Sequence, residues 1–274
     1  MTADGTFPVA LVVASVEAAV EVPAAASRRV RDLLTGPERE ARVLHRGEHA
    51  LYLELDGWCL GLVSRSATAV PCALALPAAA LGPLASTVRS VAGSGRLRLY
   101  GGNGERSDVR VGRLVDNTVP RLAALPPAYV VRRMRLAARA AVAELGNGLM
   151  HGPELAADEL LGRGSGLTPL GDDVIAGWTA AAYALGRPVP ALELEPRQRT
   201  TLFSATLIDC ARRGEVLPEF AGLIRALNTG EPTTIDEAST ALAAVGHTSG
   251  AGLLLGACLL LESLLIRDER TISA

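Results

Sequence analysis

Between residues 42 and 111, apolar positions fall in short runs bounded by turn residues, the pattern of strands rather than helices. Arg42 to His45, Ala50 to Leu55 and Trp58 to Val63 read as strands. Asp56-Gly57 separates the last two and signals a two-residue hairpin, because both residues tolerate positive φ. Arg96 to Tyr100 and Val109 to Val111 read as further strands, parted by the turn-rich Gly101-Gly102-Asn103-Gly104. An early helix is expected over Ala24 to Leu34, stopped near Gly36-Pro37. Pro77 to Val91 is ambiguous, with helix as one alternative.

After Pro126-Pro127 the period changes to that of helices. Helices are expected over Tyr129 to Leu145, Glu154 to Leu161, the apolar run Val174 to Leu185, Pro196 to Arg213, Pro218 to Asn228, Ile235 to Val245 and Gly250 to Ile266. Gly214 and Gly230 stop two of them, and Thr233 or Thr234 is expected to cap the sixth. The chain therefore reads as α+β. A β-rich domain, barrel-like or sandwich, is expected over residues 1–126, and an α-helical domain over residues 127–274. Ala251 to Ile266 is strongly apolar but short for a membrane span and contains Glu262, so it reads as a buried core helix. The apolar run Val9 to Val20 has no basic segment before it and is interrupted by Glu17, which argues against a signal peptide.

Composition narrows the function. Hydrophobic residues make up 49% of the 274, but aromatics only 3%, so Ala, Leu and Val must fill the core. So few aromatics disfavour base-stacking platforms. A net charge of −2 gives no electrostatic reason for a nucleic-acid or membrane partner. All 27 basic residues are Arg, which excludes a lysine Schiff base and a complete P-loop. The basic run Arg132, Arg133, Arg135 and Arg139 reads as a solvated helix face. Cys59, Cys72, Cys210 and Cys258 form no paired motif and read as buried thiols, consistent with a cytoplasmic location.

The richest segment is Gly162-Arg163-Gly164-Ser165-Gly166-Leu167-Thr168-Pro169-Leu170-Gly171-Asp172-Asp173, which opens an apolar helix. Thr168 suits the N-cap and Pro169 the first helical position. The glycines let a ligand approach bare backbone, and the helix N-terminus offers N–H donors to an anion. Gly164, Ser165, Gly166, Thr168 and Gly171 are thus candidates for substrate binding, with Arg163 as the nearest cation. Asp172 and Asp173 are the catalytic candidates; about 100° apart on a helix, one can face a site while the other caps the helix or meets an Arg. The plain structural alternative is a tight turn feeding a buried helix, with both acids favouring its dipole.

Gly246-His247-Thr248-Ser249-Gly250 is a second small-residue loop opening an apolar helix. His247 is the candidate proton donor or orienter, and Thr248, Ser249 and Gly250 are further candidates for substrate binding. Alone, a single His is more simply a capping or core residue. No cofactor is required by these residues. A divalent metal held by Asp172 and Asp173, with His247, is a lesser alternative to direct anion binding, since no spaced His pair supports it. Ser204, Thr206 and Asp209 share a helix and are candidates to face the site. No G-x-S-x-G or triad supports a serine hydrolase.

At these loops the chain resembles the bacterial family of AllH-type subunits of the three-subunit oxamate carbamoyltransferase. The family's G-x-G-x-G-L-T-P-x-G-D-D stretch is matched by Gly162 to Asp173, and its G-H-[ST]-S-G loop by Gly246 to Gly250. One position departs: Gly252 stands where the family pattern often has Asp. The resemblance implies interconversion of oxamate plus carbamoyl phosphate with oxalurate plus phosphate, late in allantoin catabolism. It also implies other carbamoyltransferase subunits as partners. The patterns of ordinary carbamoyltransferases are missing, and Ser86-Thr87-Val88-Arg89 does not supply them. Two further readings stay open: a non-catalytic assembly subunit whose glycine loops shape an interface, and a stand-alone enzyme on a related small acid or amide.

Overall fold

Eight strands close into a barrel, and an alanine-rich strand, the first in chain order among the described residues, completes the ring. The computed structural model describes residues 19–77, 87–102, 104–145, 153–187 and 196–272. The strands are β1 (Val20–Ala26), β2 (Arg39–Arg46), β3 (Ala50–Leu55), β4 (Trp58–Val63), β5 (Ala73–Ala75), β6 (Thr87–Gly93), β7 (Arg96–Gly101) and β8 (Arg106–Leu114). Around the barrel they run β1-β5-β4-β3-β2-β6-β7-β8, and β8 closes on β1 in parallel. The α+β reading with a barrel-like N-terminal part is what the structure shows.

The helix expected from Ala24 begins later. Val22, Ala24 and Ala26 point inward with period two, and β1 pairs with β8 from Val20 to Ala26. Ladder pairing outweighs the helix propensity of alanine. Only then does Ser27 cap α1 (Arg28–Leu33), accepting from the Val30 N–H at 3.3 Å. Pro77 to Val91 is corrected similarly: its described end, Thr87 to Val91, is strand, paired to β2 and β7, while residues 78–86 lie outside the described residues. Asp56-Gly57 forms the expected hairpin, with φ of 53° and 71°. Asn103 lies outside the described residues.

β4 is buried at every position, on both faces. Its inner face fills the barrel. On its outer side, the Cys59 N–H donates to Thr206 Oγ1 at 3.0 Å, joining the barrel to a helix of the second half. That half comprises α2 (Ala128–Ala137), α3 (Arg139–Leu145), α4 (Pro153–Leu160), α5 (Leu170–Ala184), α6 (Pro196–Arg199), α7 (Leu202–Arg212), α8 (Pro218–Thr229), α9 (Pro232–Ala243) and α10 (Ser249–Ile272). Two expected helices are each broken in two. Ala138 ends α2, and Thr200-Thr201 separate α6 from α7, with the Thr201 hydroxyl accepting from the Ser204 N–H at 3.0 Å as N-cap. Glu231 rather than Thr233 or Thr234 caps α9, accepting from the Thr233 N–H.

α10 passes the length and apolarity test for a membrane span, but much of it is buried against α5, α2 and α9. Its seam with α5 is built from glycine. A Cβ on Gly177 would fall 2.0 Å from the Leu253 carbonyl oxygen, and one on Gly256 would fall 2.0 Å from that of Val174. The two backbones therefore touch, which no larger residue permits. Arg133 pairs with Asp236 and Arg135 with Glu262, so two members of the basic run bind the helices beside them.

Two predictions follow from this packing. Gly177→Ala forces α5 and α10 apart and should destabilise the protein by about 1–3 kcal/mol or more in urea unfolding. On the barrel, buried Asp108 accepts from Arg106 and Arg96 at 2.7 and 3.0 Å, and these guanidiniums hold its carboxyl below the usual carboxylate range against the opposing effect of burial. Such a depressed group contributes stability above the ordinary carboxylate pKa and loses it as pH falls through the folded-state value. Asp108→Asn should therefore cost about 1–3 kcal/mol near pH 7 and show a smaller loss on acidification, measured by unfolding at several pH values.

Candidate functional site

The glycine loop leaves α4 at Leu161 and enters α5 at Leu170. Gly162, Gly164 and Gly166 all take positive φ, at 78°, 118° and 92°. At Gly164 a Cβ would also fall 2.7 Å from the Leu170 backbone nitrogen, so the turn needs glycine for both conformation and space. Helix α5 starts one residue later than the sequence suggests. Pro169 holds the N-cap position without a side-chain bond, and its carbonyl accepts from the Asp172 N–H at 2.9 Å. Thr168 is thereby released from capping. Its hydroxyl instead meets the Ser249 hydroxyl at 2.8 Å, so the two glycine-rich loops touch.

The adjacent carboxylates divide as their helical spacing allows. Asp172 turns inward and is buried. Its Oδ1 accepts from the Gly162 N–H at 2.7 Å, and its Oδ2 accepts from Ser204 Oγ at 2.7 Å and from the Thr200 hydroxyl. It thereby ties the loop to the break between α6 and α7. Thr201 adds a second tie, donating to the Leu167 carbonyl at 2.6 Å. Asp173 points the other way, beside Gly252, where an added Cβ would fall 2.8 Å from the Asp173 Cβ. Asp173 is buried, and its Oδ2 has no hydrogen-bond partner. Burial pushes its carboxyl well above the usual range, the Ser249 hydroxyl opposes this, and Asp172 adds to it.

Asp173 lines a cavity of about 550 Å³. Ser165, Gly166, Thr168, His247, Thr248 and Ser249 line the same end. His247 is exposed at this end, as are Ser165 and Gly166. Gly164, Gly171, Gly250 and Asp172 are not among the lining residues. The Gly171 N–H donates to the Arg163 carbonyl at 2.9 Å and the Gly250 N–H to the Val245 carbonyl at 2.9 Å, so both glycines serve the loop folds. Arg163 also stays out of the lining; its guanidinium donates to the Leu145 carbonyl at 3.0 Å. Of the acids and His247, no group of three His, Cys, Asp or Glu side chains among the described residues could hold a metal ion.

The rest of the cavity is apolar and follows the groove between α5 and α7. These helices run side by side in one direction. Their N-termini meet at Asp172 and Ser204, and their C-terminal ends meet where a Cβ on Gly214 would fall 2.2 Å from the Tyr183 ring. Ala176 and Ala180 of α5 face Phe203, Leu207 and Ala211 of α7 across the cavity, with Tyr52, Val70 and Phe220 around them. Tyr52 stacks on Phe203 with ring centroids 4.2 Å apart. At the far end stands Glu215, whose Oε2 is buried and has no partner. Burial raises its carboxyl pKa, opposed by Arg29.

Sequence reasoning missed Glu215, although an acid set between a helix-stopping Gly214 and the apolar pair Val216-Leu217 is a visible anomaly. It also missed Tyr52, which only the barrel topology brings to the helices. Ser204, Thr206 and Asp209 do not line the cavity. Ser204 holds Asp172, Thr206 receives the Cys59 N–H, and Asp209 pairs with Arg29 at 3.0 Å. The cysteines are free and buried, with Cys59 and Cys258 pushed up to about 12 by burial.

No solved structure matches the chain. Residues 160–261, which run from the end of α4 through both glycine loops into α10, match the family model of the oxamate carbamoyltransferase subunit AllH, so the resemblance carried by the two loop motifs holds across the segment that builds the polar end of the cavity.

Proposed function

We propose that this chain is a subunit of an oxamate carbamoyltransferase-like enzyme and that the polar end of the cavity holds its small anionic substrate. The observation that carries this is the Thr168–Ser249 hydroxyl contact, which joins both family motifs beside the unpartnered Asp173 oxygen. In the reaction the oxamate nitrogen bonds to the carbamoyl carbon, the bond from that carbon to the phosphate oxygen breaks, the nitrogen gives up a proton and inorganic phosphate leaves. The hydroxyls of Ser165, Thr168, Thr248 and Ser249 supply donors for the developing oxyanion, and the N-terminal ends of α5 and α10 add positive potential. Asp173, kept protonated by burial, donates to a substrate oxygen instead of repelling it. His247, at the exposed end, exchanges the proton released from nitrogen. Asp172 is a positioning residue that fixes the loop. Gly164, Gly166, Gly171 and Gly250 shape the cradle, and Arg163 braces it from outside. Catalysis takes place in the cytoplasm, in complex with the other carbamoyltransferase subunits, as a step of allantoin catabolism.

A second reading, an assembly subunit without chemistry, is favoured by Gly252, which closes the helix seam at the position where the family pattern often carries Asp. The two readings separate in the complex reconstituted with its partner subunits. Asp173→Asn and His247→Ala should each lower turnover by about 10²-fold while size-exclusion profiles stay unchanged. Normal turnover by both would overturn the catalytic reading, and loss of assembly would favour the scaffold.

Asp173 also leaves a stability signature. Above the ordinary carboxylate pKa of 3.8 the unfolded chain loses this proton while the folded chain keeps it. The native state then binds more protons, so stability falls as pH rises from that value toward the raised folded value. Asp173→Asn imitates the protonated form. Its melting temperature should decline less than that of the wild type between pH 5 and pH 8; an unchanged decline would show that Asp173 is ionised in the fold.

A further inference from the structure

The cavity is longer and more apolar than oxamate or carbamoyl phosphate requires. Along α5, Asp173 and Ala180 are separated by seven residues, an axial distance of about 10 Å. Phe203, Leu207 and Ala211 follow the same length on α7, and Glu215 lies just past its end. The cavity thus has a hydrogen-bonding head at the two loops, an apolar middle and a buried, unpartnered carboxyl oxygen at its foot. Two small anions side by side would leave that middle wall against water and the foot without a donor. No Arg lines the cavity among the described residues, so its foot is chemically unlike its head: it accepts hydrogen bonds and favours a donor or a cation.

We propose that the cavity takes an elongated acid or amide, with its carboxylate or amide head between the glycine loops, an apolar stem of about four carbons along Leu207 and Phe203, and an N–H or ammonium group at Glu215. This deepens the substrate class of the proposed function and rests on that reading only for the location of the head. The stem gains from transfer out of water, and Glu215 Oε2, which has no hydrogen-bond partner although the Cys210 thiol and Arg29 act on the same carboxyl, gains one.

The test uses the full chain and three probes, oxamate, N-butyloxamate and N-(4-aminobutyl)oxamate, with dissociation constants from calorimetry. N-butyloxamate should bind about tenfold or more tightly than oxamate, and the aminobutyl probe tighter again. Glu215→Gln should remove the preference for the amino over the butyl terminus. Leu207→Trp, which fills the middle, should remove the gain from the stem in both long probes. Each variant is checked by its melting curve, and the ratio between probes on one protein does not depend on its stability. Oxamate binding as tightly as the long probes overturns the inference and leaves the oxamate reading intact. Long probes binding where oxamate does not supports the inference and overturns oxamate as the substrate. Failure of all three overturns both.

Discussion

Backbone contact between α5 and α10 is the constraint on which the site depends. Two helices approach this closely only where side chains are missing, and Gly177, Gly252 and Gly256 supply that absence along one seam. Because the seam reaches the start of both helices, their N-termini come to lie together. The loops that precede them are then forced into contact, and Thr168 meets Ser249. The same closeness shuts Asp173 away from solvent, which is why its carboxyl is pushed above the usual carboxylate range. A carboxylate at position 252 would compete for that space.

Around this seam the polar groups sort by whether they support the loop or face the cavity. Asp172 is satisfied on both oxygens by a backbone N–H and two hydroxyls, and two of these donors exist in that place because the expected long helix breaks at Thr200-Thr201. The break looks like a defect in helical propensity, yet it anchors the glycine loop. Asp173, one residue on, has the Ser249 hydroxyl beside it and its Oδ2 without a partner. Adjacent acids with the same chemistry thus take different roles, one tying the loop through its hydrogen bonds and one facing the cavity with a raised pKa, through direction alone.

Much of this was legible beforehand. The barrel strands between Arg42 and Val111 showed in their runs and turns, and the loop motifs stood out by composition. What stayed hidden was set by long-range pairing. Ala24 and Ala26 read as helix until β8 is there to pair with them, and the described end of Pro77 to Val91 is strand because β2 and β7 flank it. Thr168 looked like an N-cap because Thr-Pro usually is one; only the proximity of Ser249 gives its hydroxyl another use. Arg163 looked like the substrate cation because it is nearest in sequence, but its side chain reaches Leu145 instead. The apolar wall from Tyr52 and Phe220 arises where barrel and helices meet, and no local pattern encodes a meeting.

The placement of charge follows from the same geometry. An anion in a cavity lined by two carboxyls and no Arg would be repelled if both were ionised. Burial eases this conflict at the head, since it raises the Asp173 pKa and so favours the protonated form, which is a donor, and helix N-termini bring positive potential without a cation. At the foot, Glu215 is less deeply buried, and Arg29 opposes the rise that burial gives its carboxyl, so it is the acid better able to carry charge. The cavity is therefore polarised along its length, with donors at the loops and an acceptor beyond α7. A ligand that spans it must be polarised in the opposite sense, and the apolar groove between α5 and α7 sets how far apart its two ends must stand.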